Sequence, residues 1–288
     1  MKLRSLLFVP GDHPDRVQRA ATCGADALIL DLEDAVAIES KVTARRQVAA
    51  ALREGARPVP YLVRVNALNS PFLDEDLNAI AHGHPDGIVL PKAEGAASIN
   101  ELIQKMQTHA LSCPVLPIAT ETAAAIFRLG EYAVVAAHLL GLTWGAEDLS
   151  AAIGAESARD ADGRFTAPYE MVRSLALLAA HAASVAAIET VFPEFRDLDG
   201  LATYAQRAAR DGFTGMLAIH PAQIPAIHCA FTPSPALVER SRRIVAAFAN
   251  HPGAGVLQVD GAMVDAPHLR QAQRVLLRAA DEDSPRSP

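Results

Sequence analysis

No apolar run in this sequence approaches the roughly 20 residues that a helix needs to cross a bilayer, so nothing in it is expected to span a membrane. The apolar start at 3–10 is too short for a secretion signal, and no small-residue cleavage site separates it from the charged residues at 12–16; it reads as a first strand. Cysteine is scarce: Cys23, Cys113 and Cys229 have no metal-ligand spacing, and at least one of the three must stay unpaired, which predicts a reducing, cytoplasmic setting. Basic residues number 26 against 33 acids, for a net charge of -7, and they form no stripe, so nucleic acid is not an expected partner. Aromatics make up only 5% of the chain, which leaves Ala, Val, Leu and Ile to build the core. No Gly-x-Gly-x-x-Gly follows the first strand and no phosphate-binding Walker loop occurs, which weakens the case for a doubly wound nucleotide-binding sheet.

What is present is an alternation. Eight short apolar runs, at 3–10, 27–33, 61–66, 87–92, 115–121, 138–145, 185–192 and 215–221, read as strands. Segments with helical spacing separate them, among them 14–23, 39–53, 97–109 and 198–210. Near-continuous apolar strands joined by helices predict a parallel sheet covered on both faces, and eight such units predict an α/β fold of the (β/α)8 TIM-barrel kind. The longest polar insertion, 155–168, follows strand six, and long loops on a compact scaffold are often functional. Residues 1–230 are expected to form the barrel and 231–280 a C-terminal helical extension, with helices at 235–249 and 267–280 and a break at 251–255. The charged, proline-bearing 281–288 reads as a disordered tail.

A barrel places its chemistry at the carboxyl ends of its strands. Those ends carry Asp31, Glu33, Asp34, Arg64, Lys92, Glu121, Asp148, Glu189 and His220, an excess of carboxylates that would raise one another's pKa unless a cation were present. Glu121 and Asp148 follow neighbouring strands, close enough to share one ion, and two carboxylates without a His or Cys cluster suit Mg2+ rather than zinc. The competing reading is that both acids only stabilise helix N-termini. Arg64 can grip a substrate carboxylate or steady an enolate oxygen, or it can pair with Asp31 or Asp34. Lys92 among so many acids is expected to balance charge rather than form a Schiff base. Asp31, Glu33 and Asp34 either order metal-bound waters or pair with Arg64 and Lys92. His220 reads as a hydrogen-bonded strand-end histidine and Cys23 as a packed helix residue.

The motifs Leu7-Phe8-Val9-Pro10-Gly11, Leu30-Asp31-Leu32-Glu33-Asp34-Ala35-Val36, Val63-Arg64-Val65-Asn66, Val89-Leu90-Pro91-Lys92, Ala119-Thr120-Glu121-Thr122, Gly145-Ala146-Glu147-Asp148-Leu149 and Ala218-Ile219-His220-Pro221-Ala222-Gln223 together resemble the citrate lyase beta subunit family of the HpcH/HpaI aldolase superfamily. The resemblance implies a TIM barrel, commonly a homotrimer, that binds Mg2+ through Glu121 and Asp148 and contacts substrate oxygens through Arg64. It implies cleavage or formation of a carbon-carbon bond in a 3-hydroxyacyl-coenzyme A thioester such as malyl-, citramalyl- or citryl-CoA, with a 2-oxo acid such as oxaloacetate and an acyl-CoA as the other partners. In that setting Arg16 would meet the CoA phosphates. Relatives of this kind also include the beta subunit of a multi-subunit citrate lyase acting on a citryl-acyl-carrier-protein, and metal-dependent aldolases of free hydroxy-oxo acids. Gly261-Ala262-Met263-Val264-Asp265-Ala266-Pro267 resembles the segment that supplies a catalytic aspartate to a neighbouring subunit, which assigns Asp265; spacing alone makes Asp265 the N-cap of a helix.

Overall fold

The computed structural model describes residues 3–55 and 57–283, which fall into two compact units, Leu3–Ile227 and a second that begins at His228. In the first, strands and helices alternate as β1 (Ser5–Pro10), α1 (Pro14–Ala21), β2 (Ala27–Asp31), α2 (Lys41–Arg53), β3 (Tyr61–Arg64), α3 (Leu73–Ile80), β4 (Gly87–Leu90) and α4 (Gly95–Thr108). The alternation continues through β5 (Val115–Pro117), α5 (Ala123–Ile126), β6 (Gly141–Thr143), α6 (Glu147–Ile153), α7 (Ala167–Ala182), β7 (Ala186–Glu189), α8 (Leu198–Asp211) and β8 (Gly215–Ala218), and the chain passes from the first unit to the second within α9 (Ile224–Phe231).

The eight strands form one parallel sheet in the order β5-β4-β3-β2-β1-β8-β7-β6. Its two ends meet without a full ladder. Single parallel bridges join Val115 to Leu139 and Ile118 to Thr143, and amide bonds from Leu140 to the Val115 carbonyl (2.8 Å) and from Ala119 to the Thr143 carbonyl (2.9 Å) close the barrel. The expected (β/α)8 architecture is therefore what the chain adopts. Gly215 is needed for the closest approach: a Cβ there would fall 1.8 Å from the Leu3 carbonyl oxygen.

Inward side chains Leu6, Ile29, Leu62, Val89, Leu116, Ile188 and Leu217 fill the barrel, each of them nearly or fully buried. Alternate residues face the helices, as the period of two along a strand requires. Burying such side chains contributes roughly 1.5–3 kcal/mol each. In the β2–β3 register Ile29 lies opposite Leu62 and Asp31 opposite Arg64, so the polar pair continues the inward row by one step toward the carboxyl ends.

The 155–168 insertion is ordered by its own packing. An antiparallel bridge joins Arg159 to Phe165, the Arg159 guanidinium lies 3.8 Å from the Phe165 ring centroid, and that ring packs against Trp144 at 5.1 Å.

The second unit holds α10 (Pro235–Asn250), β9 (Val256–Val259), β10 (Ala262–Asp265) and α11 (Ala266–Asp283). The expected helices are there. The break at 251–255 lies outside helix and strand, and after it comes an unexpected antiparallel hairpin that pairs Ala262 with Val259 and turns at Asp260 and Gly261, both with positive φ (51° and 78°). Asp-Gly supplies the left-handed pair that a tight two-residue hairpin turn demands. Val259 and Val264 pack with Ile244 of α10 and Ala272 of α11 into a small core of this unit. Of the segment expected to be a tail, 281–283 belong to α11 and 284–288 lie outside the described residues.

Glu189, a strand-end carboxylate, is wholly buried: Trp144 Nε1 (2.5 Å), Arg173 Nε (2.7 Å) and the Thr190 amide (2.9 Å) all donate to it. It is a structural anchor that ties β7 to α7 and β6. Burial holds its carboxyl above the ordinary value of 4.5 despite Arg173. A carboxyl raised on folding favours the folded state most below its unfolded pKa, and this contribution is lost as pH rises through the raised value. Arg173→Met is therefore expected to cost about 3–5 kcal/mol at neutral pH, because it leaves a buried charge unpaired. The loss should shrink as pH falls and Glu189 takes up a proton, as read from urea midpoints; a loss that stays the same as pH falls would show that Glu189 keeps its charge.

Candidate functional site

Five strand ends converge on one polar cluster. Asp31 closes β2, Arg64 closes β3, Lys92 and Glu121 follow β4 and β5, and Asp148 sits in the first turn of α6, just past β6. Asp31, fully buried, accepts from Arg64 Nε (2.8 Å) and Nη2 (2.5 Å) and from the amides of Glu33 (2.8 Å) and Ala35 (3.2 Å). Four donors saturate a carboxylate, so Asp31 is a fixed bracket for Arg64 and for the turn that carries Glu33. The Arg64 guanidinium also lies 4.8 Å from the Phe8 ring centroid and 3.2 Å from Glu33 Oε2. Burial works against its charge, but Asp31, Glu33 and Asp34 outweigh burial and hold the proton more firmly than usual.

Glu33 joins the two cations of the cluster, since its other oxygen lies 2.6 Å from Lys92 Nζ. The same ammonium is 3.3 Å from Asp148 and 3.8 Å from Asp34, whose side chain is largely exposed. Burial would lower the Lys92 pKa, but the bond to Glu33 and the charges of Glu33, Asp148 and Glu121 raise it instead. That is the opposite of what a Schiff-base amine needs, and it fits a charge-balancing lysine. Lys92 adopts a left-handed backbone, with φ of 52°. A non-glycine residue there costs about 1–2 kcal/mol. The conformation goes with a division of labour, in which the Lys92 amide donates to Glu121 Oε2 at 2.6 Å while its side chain reaches Glu33.

Glu121 is almost completely buried, and its carboxyl is pushed up to about 8, first by burial and then by the nearby charges of Asp148 and Glu33. Gly145 gives it room: a Cβ there would sit 3.0 Å from Glu121 Cγ and 3.3 Å from Oε1. A buried acid beside a second acid, supported by one amide, is a donor set short of positive charge. Among the described residues no three His, Cys, Asp or Glu side chains gather as a ready-made metal cage. Two carboxylates, with substrate and water completing the shell, suit Mg2+, and Glu121 with Asp148 would be the pair to hold it here.

The remaining candidates make contacts of other kinds. Arg16 is exposed on α1. His220 Nδ1 accepts from the Ala222 amide (3.1 Å), and its ring stacks on Phe195 at 4.8 Å. Asp265, in the second unit, caps α11: its Oδ1 accepts from the His268 amide at 3.4 Å and lies 2.6 Å from His268 Nδ1. The hydrogen bond from His268 pulls the Asp265 carboxyl below its ordinary value.

One contributor was missed from sequence. Lys41, the first residue of α2, is buried and donates to the carbonyls of Leu32 (2.7 Å) and Glu33 (2.8 Å) and to Asn66 Oδ1 (3.0 Å). The available signal was a cation at a helix N-terminus, where the dipole disfavours it.

Gly145→Ala is expected to weaken Mg2+ affinity by about 10- to 100-fold, the usual effect of displacing a group that orients a ligand, with little change in thermal midpoint. Calorimetric titration checks it; unchanged affinity would show that Glu121 does not need that space.

Comparison with known proteins identifies the scaffold. The family model for HpcH/HpaI aldolase/citrate lyase matches residues 4–221. A citrate lyase subunit beta-like protein of Mycobacterium tuberculosis is 38% identical over 279 residues, covering 96% of each chain. A (3S)-malyl-CoA thioesterase of Cereibacter sphaeroides is 34% identical over 283 residues, covering 96% of this chain and 94% of that one. The crystal structure of CitE from Mycobacterium tuberculosis, in complex with magnesium, acetoacetate and coenzyme A, superposes with a TM-score of 0.83 at 36% identity, covering 97% and 98% of the two chains. The chain thus belongs to the HpcH/HpaI aldolase/citrate lyase family.

Proposed function

We propose that this protein is a Mg2+-dependent carbon-carbon lyase, or synthase in the reverse direction, acting on a 3-hydroxyacyl-CoA thioester to give a 2-oxo acid and an acyl-CoA. The observation that carries the reading is one connected cluster in which Glu33 joins Arg64 to Lys92, and Lys92 meets Asp148 through its ammonium and Glu121 through its amide. The magnesium and coenzyme A bound by the CitE relative support it, as do the substrates in the relatives' names.

Glu121 and Asp148 hold the metal, which when bound polarises the oxo-acid oxygens next to the scissile bond. Arg64, held in place by Asp31, directs fixed positive charge at oxygens that become negative as the bond breaks. Lys92 spaces Glu33 from Asp148 and keeps the acids from repelling one another. Asp265 exchanges the proton at the acyl carbon, supplied to the site of a neighbouring copy in a homotrimer, with 231–280 as the extension that carries it; its lowered pKa leaves it ionised and ready to accept that proton first in the synthase direction. Arg16 meets the CoA phosphates. Three free thiols support a reducing, cytoplasmic location.

A second reading, hydrolysis of the thioester itself, is favoured by the named activity of the malyl-CoA thioesterase relative. Incubation with Mg2+ and malyl-, citramalyl- or citryl-CoA, followed by mass spectrometry, separates the two. The expected products are a keto acid and an acyl-CoA, absent in Glu121→Ala; a hydroxy acid and free CoA would establish hydrolysis. Silence with all three thioesters, while keto acid still binds with Mg2+, would move the substrate to a carrier-protein thioester. Asp265→Ala should lower kcat by about 10²- to 10⁴-fold while Mg2+ and keto acid still bind. Mixing Glu121→Ala with Asp265→Ala copies should restore part of the activity, and no restoration would place both residues in one copy's site.

A further inference from the structure

The geometry points to Lys41 as a positioning residue that locks the turn between β2 and α2 so that Glu33 faces Arg64 and Lys92 together; this inference deepens the lyase reading and rests on it. Lys41 touches none of the reacting groups. Its ammonium has three donors, and all three are used within 3.0 Å, on the carbonyls of Leu32 and Glu33 and on Asn66 Oδ1.

The placement is electrostatically poor on local grounds. A cation in the first turn of a helix opposes the helix dipole. Burial further disfavours its charge, against the pull of Asp76, Asp31, Glu33 and Asp34. A lysine kept there is best explained by what its donors hold. Asp31 takes the amides of Glu33 and Ala35 on one side of the turn, and Lys41 takes the carbonyls of Leu32 and Glu33 on the other. Between them they use both polar edges of the turn, so it has little freedom to reorient.

The anchor below Lys41 is rigid. Asn66 is fixed through its amide (2.9 Å) and Nδ2 (2.6 Å) by Asp76, and fully buried Asp76 is gripped by Arg45 Nε at 2.7 Å. Phe72 lies beneath both cations, with its centroid 5.8 Å from Lys41 Nζ and 5.6 Å from the Arg45 guanidinium. Above the turn, the Glu33 carboxylate meets Arg64 and Lys92, and the Lys92 amide holds Glu121. The chain of contacts therefore runs from α2 to a metal-holding carboxylate through the backbone of one glutamate. An ångström of misplacement in such a site costs as much as 10²-fold in rate.

The test compares Lys41→Met, which keeps the aliphatic stem and removes the ammonium, with Val48→Ala, a truncation in the buried face of the same helix. At saturating Mg2+ and thioester, Lys41→Met is expected to lose about 10- to 100-fold in kcat with a much smaller change in KM, whereas Val48→Ala keeps kcat. Combined with Glu33→Gln, Lys41→Met should add almost nothing to the loss, because both act through the same carboxylate. In the metal-free protein, hydrogen exchange at the Glu33 and Ala35 amides should quicken at least tenfold in Lys41→Met and not in Val48→Ala. Wild-type kcat, full additivity with Glu33→Gln or unchanged exchange would each overturn the assignment. If the wild-type protein shows no lyase turnover, the lyase reading fails while amide exchange still decides the role of Lys41. Should Lys41→Met not fold, Asn66→Ala removes one of the three acceptors and is read by the same measures, with unchanged exchange again fatal.

Discussion

The mouth of this barrel must hold several carboxylates together against their own repulsion, and the bidentate pair of Asp31 with Arg64 is where that problem is first solved. The pair lies on adjacent strands at matching register positions, so barrel geometry brings it together without help from loops. Its desolvation is offset by the Glu33 and Ala35 amides on the carboxylate and by Phe8 under the guanidinium. Removing one partner from such a pair costs more than the pair itself contributes, because the other charge is left buried alone. Glu33, Lys92 and Glu121 are then positioned outward from this bracket, each by contact with the one before.

Two buried acids illustrate how neighbours assign roles to identical chemistry. Glu189 and Glu121 both end up buried near strand ends, and burial raises the pKa of both. Glu189 meets a guanidinium, an indole N–H and an amide, and so becomes a structural tie. Glu121 receives one amide from Lys92 and faces further acids, with a glycine clearing the space beside it. The first has its charge compensated within the protein; the second gains most from a cation supplied from outside.

The barrel was legible in the sequence because its strands are buried on both faces and therefore read as apolar runs between helical segments. The strands themselves are shorter than those runs, as at Val115–Pro117 and Gly141–Thr143; after Ile118 and Ala119, which still meet Thr143, the first of these runs leaves the ladder and carries Glu121 toward the mouth. Strand-end position likewise brought Asp31, Glu33, Arg64, Lys92, Glu121 and Asp148 to attention, and the structure brings these six together. The hairpin at Val256–Val259 and Ala262–Asp265 escaped because its strands are too short for alternation to show, although Asp260-Gly261 carried the turn signal. Lys41 escaped for a different reason. A single lysine opening a helix looks solvated until the fold shows that three oxygens surround its ammonium.

The strained backbone of Lys92 shows why the site cannot be described by side chains alone. With φ at 52°, one residue presents its amide to Glu121 and its ammonium to Glu33 and Asp148, so backbone and side chain act on different carboxylates. A glycine could adopt this backbone with no strain but would supply no cation, and a lysine in an extended backbone would lose the amide contact. The strain is tolerated because the neighbouring acids need both contacts, and its cost of about 1–2 kcal/mol is comparable to a single charge-assisted hydrogen bond. Strain, buried acids and a buried lysine thus have one origin: a polar cluster built at the open end of an apolar barrel, where each charge is held by a residue whose own position is fixed by another.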